Sequence, residues 1–404
     1  MSKSTFFTGQ PIFSQLLSFI PRRSVGQIAE SYSTDRYCKN FTTHAHLVTL
    51  LYSILNRCDS LREVITGLLA TEQKLNHLGL SHSPRRSTIS DANTRRTSEV
   101  FGSIYQMLYH RYHDFLPDSR AARRKKKLYL VDSTSIALFK EILNGTGGRS
   151  LKGKRKGGIK VHTLMRSDED VPQLIRYTAR AASDVPFLKA IKLSPGSILV
   201  FDKGYTNYKE WNRFNKEKIT WVTRLRKDCS YRIVKNLPLS ETQKTKDVIS
   251  DQLIYMGNTK DLKATHVPAR LITYKDTINN KVFQFITNNR TYAPRTIADF
   301  YRKRWQIEIL FKRLKQNYPL RSFLGDTENA VQIQIWVTLI ADLLLKVIKE
   351  TGARKWAFSN LVSMVRLHLM TYIDLFSFLK NPEKALRKAK SNYQINNELS
   401  LFPT

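Results

Sequence analysis

The sequence predicts an α/β protein, with helices at both ends and a core between them in which short strands alternate with helices. The first 120 residues carry helical apolar periodicity, as in IFSQLLSFI and HLVTLLYSIL, and nothing there alternates like a strand. After Lys125, short apolar runs divided by turn residues read as strands. Tyr292 to Gln316, YAPRTIADFYRKRWQIEILFKRLKQ, then reads as one helix, opened by Pro294 and not interrupted by Pro or Gly before Pro319.

A chain of 404 residues with 41% hydrophobic residues and 20 Phe has room for two or three domains and a sizeable core. Lys and Arg number 67 against 33 Asp and Glu, and the formal charge of +34 is spread along the whole chain. A large polyanion is the natural partner. The basic residues are interleaved with structured segments rather than gathered on one free amphipathic helix, which favours nucleic acid over a membrane surface. Three cysteines, Cys38, Cys58 and Cys229, are too few and too scattered for a disulfide framework or a zinc module, so a reducing compartment is expected. The start, MSKSTFFTGQPIF, lacks the features of a signal peptide. The most apolar run, Val331 to Ile348, includes Gln332, Gln334, Asp342 and Lys346 and reads as a buried helix, not a membrane span. A soluble, cytoplasmic protein, associated with the nucleoid through DNA, is the expectation.

Residues 1–120 form the helical N-terminal domain, with a further helical stretch, LREVITGLLATEQKLNHLG, ending at Gly79. In SHSPRRSTISDANTRR, Pro84 and Ser87 suit the start of a short helix carrying Arg85, Arg86, Arg95 and Arg96. A helix-turn-helix-like DNA-binding unit and a basic surface without groove contact both fit this stretch. Sequence-specific recognition of DNA is placed in this domain. The charge run RAARRKKK reads as a solvated linker.

KKKLYLVDSTSIAL is the first strand, expected to end at Asp132. A Gly-rich basic connector, GTGGRSLKGKRKGG, lacks the Gly-Lys-Ser/Thr ending of a phosphate loop and leads into the second strand. With VPQLIRYTAR as the third, the strands suggest an antiparallel meander. Asp184 to Leu193 reads as a helix, and SPGSILVFDKGY gives a fourth strand, apolar on both faces and ending at Asp202. A helix through TNYKEWNRFNKEK and a strand ITWVTRLR complete the first part of a core, residues 125–228. Three strands, then helix, strand, helix, strand is the order of the ribonuclease H-like, or retroviral-integrase-like, fold. That topology sets the two strand-end acids side by side. Residues 229–280, with the Lys-rich loop ETQKTKD, read as a β-rich insertion, and KVFQFITNN returns to the core. The core resumes over 281–350, and residues 351–404 form a helical C-terminal segment with a basic tail.

At about 100° per residue, Tyr301, Arg304, Glu308 and Lys315 fall within an arc of roughly 60° on the long helix. Phe300, Ile307, Phe311 and Leu314 form the adjacent apolar stripe, leaving Arg302, Lys303 and Arg313 towards solvent. Taken alone, the helix also fits a bland reading in which Glu308 pairs with Arg304 or Lys312 on a solvated face. The spelling Tyr-x2-Arg-x3-Glu-x6-Lys resembles the signature of DDE transposases of the insertion sequence 4 family, whose third catalytic acid is that Glu. The DKGY string after the fourth strand resembles the second acidic motif of the same family, and the strand bearing Asp132 resembles the first.

The resemblance implies that Asp132, Asp202 and Glu308 are catalytic and hold two magnesium ions, with manganese able to substitute. Such chemistry is physically apt. Two divalent cations about 4 Å apart activate a hydroxyl and neutralise charge on the phosphate, and magnesium accepts hard carboxylate oxygens. Clustered carboxylates resist full ionisation without a cation. The family further implies that Tyr301, Arg304 and Lys315 hold the phosphates of a transposon end, and Lys203 stands beside the second acid as a further DNA contact. Trp305 is open to two readings, stacking on a displaced base or packing in the core. His162 likewise is either a ligand or, as such residues more commonly are, a satisfied core histidine. The implied partner is double-stranded DNA, both transposon ends and target, bound by a homodimer that cuts, through a hairpin on the element's end, and joins by a 3′-hydroxyl. A ribonuclease H-like nuclease without strand transfer and a non-catalytic DNA-binding descendant are the rival readings.

Overall fold

The computed structural model describes residues 9–116, 127–137, 158–239, 247–257, 267–276 and 280–387. Apart from Lys127, Gly158 and Asp247, the charge run, the Gly-rich connector and the ETQKTKD loop lie outside the described residues, as does the basic tail from residue 388. The chain divides into two compact units, residues 1–116 with 313–404 and residues 117–312.

The first unit is helical throughout its described residues, with helices Ile12–Leu17, Arg22–Ser31, Thr43–Asn56, Leu61–Leu69, Arg86–Arg95 and Ser98–Tyr112 in its N-terminal part. Helix Glu328–Thr351 lies against Thr43–Asn56 and Ser98–Tyr112. It is the one helix among the described residues long and apolar enough to cross a membrane, yet its apolar window is 94% buried. Trp336 sits 5.6 Å from the Tyr105 ring, and Asn329 accepts from the Ser98 amide and donates to the Asn93 and Arg96 carbonyls. The core segment expected over 281–350 is therefore divided. It belongs to the second unit only as far as Lys312, because this helix buries its apolar faces among the N-terminal helices.

The second unit is built on one nine-stranded sheet among the described residues. Its strands are β1 (Leu128–Ala137), β2 (Gly158–Arg166), β3 (Val171–Ala179), β4 (Ile198–Phe201), β5 (Thr220–Arg224), β6 (Tyr231–Asn236), β7 (Val248–Met256), β8 (Val267–Asp276) and β9 (Lys281–Thr287). They lie in the order β3-β2-β1-β4-β5-β9-β8-β7-β6. The first three strands are the expected antiparallel meander, and β4 and β5 run parallel to β1. Parallel neighbours need a crossover, supplied between β4 and β5 by helix Tyr208–Lys216, whose start is capped by Asn207. The expected helix from Asp184 to Leu193 is α-helical only over Phe187–Ala190. Among the described residues, the insertion joins the same sheet. β9 pairs with β5, and β8, β7 and β6 extend the ladder outwards.

Strand alternation decides what each face carries. Tyr129 and Val131 of β1 and Leu199 and Phe201 of β4 enter a core with Phe187, Trp211, Phe214 and Trp221, to which β7 and β8 add Ile254, Met256, Ala269 and Leu271. Asp132 and Asp202, one residue further along, point to the opposite face. Helix Pro294–Lys303 packs on that opposite face, where Tyr301 lies 5.2 Å from the Phe285 ring of β9.

Candidate active site

β1 pairs with β4 from Leu128 opposite Ile198 to Val131 opposite Phe201, so Asp132 and Asp202 are the next residues on two adjacent parallel strands. β4 ends there, but β1 does not. It continues to Ala137, paired with β2 as far as Gly158, which corrects the expectation that it stops at Asp132. Ser133 and Thr134 interrupt the apolar pattern without interrupting the ladder, because β2 still offers a partner. Asp202 caps the turn Lys203–Tyr205, its Oδ2 accepting from the Gly204 amide at 3.3 Å.

The long helix is two helices, Pro294–Lys303 and Trp305–Asn317. The break falls on Arg304, where the bonds Arg304 N to Tyr301 O (3.0 Å) and Ile307 N to Arg304 O (3.1 Å) span three residues instead of four. Tyr301 and Arg304 nevertheless both meet the strand acids, and Glu308 is joined to them through Arg304. The Tyr301 hydroxyl donates to Asp202 Oδ1 at 3.1 Å. Arg304 donates through Nη1 to Asp132 and through Nη2 to Glu308 Oε1, the latter at 2.9 Å. The helical pair of the bland reading is thus present, and the same guanidinium reaches across to a strand. Lys315 lies exposed in the last turn of the second helix, past the division at Lys312.

Burial sets the electrostatics. It pushes the Asp132 carboxyl up to about 6, against the pull of Arg304 and the Ser133 amide and with further upward pressure from Asp202 and Glu308. Tyr301 is pushed up to about 12 by burial and by Asp202. For Arg304, desolvation opposes the charge but the acids, Asp132 foremost, outweigh it and raise its pKa. Three acidic oxygen donors fit a hard divalent cation in chemistry. In this conformation, however, no group of three His, Cys, Asp or Glu side chains among the described residues is arranged to hold an ion. Arg304 stands between two of the acids.

Other predicted residues fall out differently. Lys203 is exposed beside Asp202, and Trp305 is 58% exposed, which excludes the core-packing reading for it. His162 is buried, bonded to Thr178 Oγ1 at 2.8 Å and to the Tyr205 hydroxyl at 3.2 Å, and stacked on Phe187: a satisfied core histidine. Arg313 does not point to solvent but pairs with buried Asp342 at 3.0 Å. In the helical unit, Arg85, Arg86 and Arg95 are exposed along helix Arg86–Arg95. Arg96 is not a surface residue. It is 3% exposed and bound to Asp35, Thr43 and the Phe41 carbonyl, because the chain turns inwards after Arg95.

One neighbour escaped the sequence reading. Asp184, expected to start a helix, accepts from Lys160 at 3.0 Å and from Ser133 at 3.3 Å, and its Oδ2 lies 3.3 Å from where a Cβ on Gly204 would sit. A side chain at Gly204 would crowd it. Nothing in spacing or periodicity announces that this loop returns to the second acid.

Comparison with known proteins bears on the whole arrangement. Residues 123–344, more than half the chain, match the family described as Transposase DDE domain, and residues 8–81 match a domain of unknown function, DUF4372. The putative transposase y4zB of Sinorhizobium fredii is 31% identical over 268 residues, 66% of this chain and 72% of that protein. A probable transposase for insertion sequence element IS5377 of Geobacillus stearothermophilus is 28% identical over 61% of this chain and 63% of its own length. Among solved structures, a piggyBac transposase synaptic complex with hairpin DNA gives a TM-score of 0.44 at 11% identity, covering 97% of this chain and 84% of that one, a likeness too slight to argue from. With a family match over more than half of the chain and a transposase relative 31% identical over 66% of it, the chain belongs to the DDE transposases.

Proposed function

We propose that this transposase cuts the ends of its own insertion element and joins them to target DNA, with Asp132, Asp202 and Glu308 as its catalytic acids. The observation that carries the reading is the meeting of these acids, delivered by two adjacent strands and a helix, around one arginine. The strand order β3-β2-β1-β4-β5 supports a ribonuclease H-like core, and the Tyr-Arg-Glu-Lys spacing supports the insertion sequence 4 family. Two magnesium ions, for which manganese can substitute, would be held by the three carboxylates and would activate the attacking hydroxyl and neutralise charge on the phosphate.

The chain's own residues supply the rest. Tyr301 fixes the Asp202 carboxylate by its hydroxyl, and the Gly204 amide fixes the other oxygen. Exposed Lys203 offers a cation to the backbone of a passing strand, exposed Trp305 offers a face for an unstacked base, and Lys315, exposed in the other unit, offers a cation of its own to DNA. Arg85, Arg86 and Arg95 form the basic face that binds the terminal repeats; Arg96 takes no part. Cutting two ends together calls for two subunits, and a hairpin on the element's end is the route the family resemblance implies. The protein acts in the cytoplasm, on the nucleoid.

The test is a gel assay of purified protein on duplexes carrying the inverted repeats that flank the gene, in magnesium. Asp132→Asn, Asp202→Asn and Glu308→Gln should each still bind the duplex and leave it uncut. Normal cleavage by any of them would remove that residue from the site.

A further inference from the structure

Arg304 faces inwards. Its two terminal nitrogens are spent on Asp132 and Glu308, its Nε is buried without an acceptor, and its side chain is only 15% exposed. A divalent cation coordinated by Asp132 and Glu308 would bring further positive charge against the guanidinium that already holds one oxygen of each carboxylate. The geometry therefore sets Arg304 and the metal in competition for two of the three acids. It also accounts for the carboxylates not being arranged around one point, since the guanidinium lies between two of them.

We propose that Arg304 is an exchangeable counter-ion. It neutralises Asp132 and Glu308 while no metal is bound, is displaced when metal takes those carboxylates, and is thereby released to a DNA phosphate. Metal binding and strand binding are then coupled through one side chain. Three uncompensated carboxylates on a half-buried sheet face repel one another, and the arginine relieves that repulsion. Once released, a planar guanidinium with five donors suits a phosphate, and the unsatisfied Nε gains an acceptor. The path is short. Arg304 lies in the break between two helices, and its neighbours Lys303 and Trp305 are exposed, so rotation of the side chain carries it to the surface. Coupling of this kind is reciprocal: whatever metal gains by the presence of DNA, DNA gains by the presence of metal.

This inference rests on the reading of the three acids as the metal site, so the experiment separates the two. The full chain, stripped with EDTA, is melted during titration with MgCl2 or CaCl2, and its binding to a 30-bp duplex of arbitrary sequence is followed by fluorescence anisotropy at constant ionic strength. Wild type should gain melting temperature with metal, and Asp132→Asn should not. Arg304→Gln should melt lower than wild type in EDTA, recover with metal, and half-saturate at roughly tenfold less metal, because the internal competitor is gone. Calcium should tighten duplex binding by roughly fivefold or more in wild type and by a clearly smaller factor in Arg304→Gln, where only the metal's own charge acts. If Arg304→Gln fails to fold, Arg304→Lys, which keeps the charge but cannot bridge both carboxylates, should show the same displacement of the metal midpoint to a smaller degree. An Arg304 variant with the wild-type metal midpoint, or a weaker one, overturns the exchange while leaving the metal site standing. No metal response in the wild type overturns both.

Discussion

Two ion-paired arginines, one buried in the first unit and one half-buried in the second, show how similar ion pairs serve different ends. Arg96 meets one acid, Asp35, and otherwise donates to neutral partners, the Thr43 hydroxyl, the Phe41 carbonyl and Cys38 Sγ. Its charge is balanced once and its geometry is closed. Arg304 meets two acids, Asp132 and Glu308, in the field of a third, and keeps a buried Nε with no acceptor. Its surroundings carry more negative charge than one arginine cancels. The first arrangement holds a loop to a helix, whereas the second asks for more cation.

The largest effects should separate the two. Arg96→Met removes the cation beside Asp35, which keeps its bonds from Thr43 and is 29% exposed, and strips the Phe41 carbonyl of its donor; it should cost on the order of 2 kcal/mol of stability. Chemical denaturation would read this, and added magnesium should not restore it. Recovery of Arg96→Met by metal would erase the distinction between the two arginines.

A second effect concerns His46, next to Arg96. It is wholly buried, its Nε2 bonds Asn93 at 3.0 Å, and its Nδ1 has no partner, so the ring is neutral. Burial first, and Arg96 second, lower its pKa to about 3. The unfolded chain takes up this proton near pH 6.5 and the folded chain does not. The stability due to the neutral ring is thus complete above pH 6.5 and is lost as pH falls from there towards 3. The slope is about 1.4 kcal/mol per pH unit. Denaturation midpoints between about pH 6.5 and 4.5 should show this decline, and His46→Gln should flatten it; an unaltered slope would mean that His46 does not carry it.

The smallest effects belong to the exposed arginines beside Arg96. Replacing Arg85, Arg86 or Arg95 by Ala should leave melting unchanged and weaken duplex binding, reducing the salt dependence of log K by about 0.9 for each phosphate no longer neutralised. Loss of stability instead would make them structural, like Arg96.

The contrast also shows what was legible in the sequence. Glu308, Tyr301 and Arg304 were legible because helical spacing places them on one edge; Tyr301 and Arg304 do meet the strand acids, and Glu308 bonds the same Arg304. Asp132 and Asp202 were legible as acids closing apolar runs, although β1 continues past its acid on a pairing that only β2's position reveals. Arg95 and Arg96 are adjacent, of one type, and opposite in fate. No local pattern separates them, because burial of Arg96 depends on Asp35 and Phe41, 61 and 55 residues away in the chain. The same holds for Asp184 beside Gly204, and for the helix Glu328–Thr351, whose partners lie among the N-terminal helices. Long-range pairing decides these, and periodicity carries no record of it.

The central claim is that Asp132, Asp202 and Glu308 act as one unit. Single-turnover cleavage of an end duplex by Asp132→Asn, by Glu308→Gln and by the double variant tests it most directly. Residues that act together give non-additive losses. Each single variant should therefore fall by roughly a thousandfold or more, and the double variant should fall no further. Substantial cleavage by either single variant, or losses that multiply in the double, would contradict it.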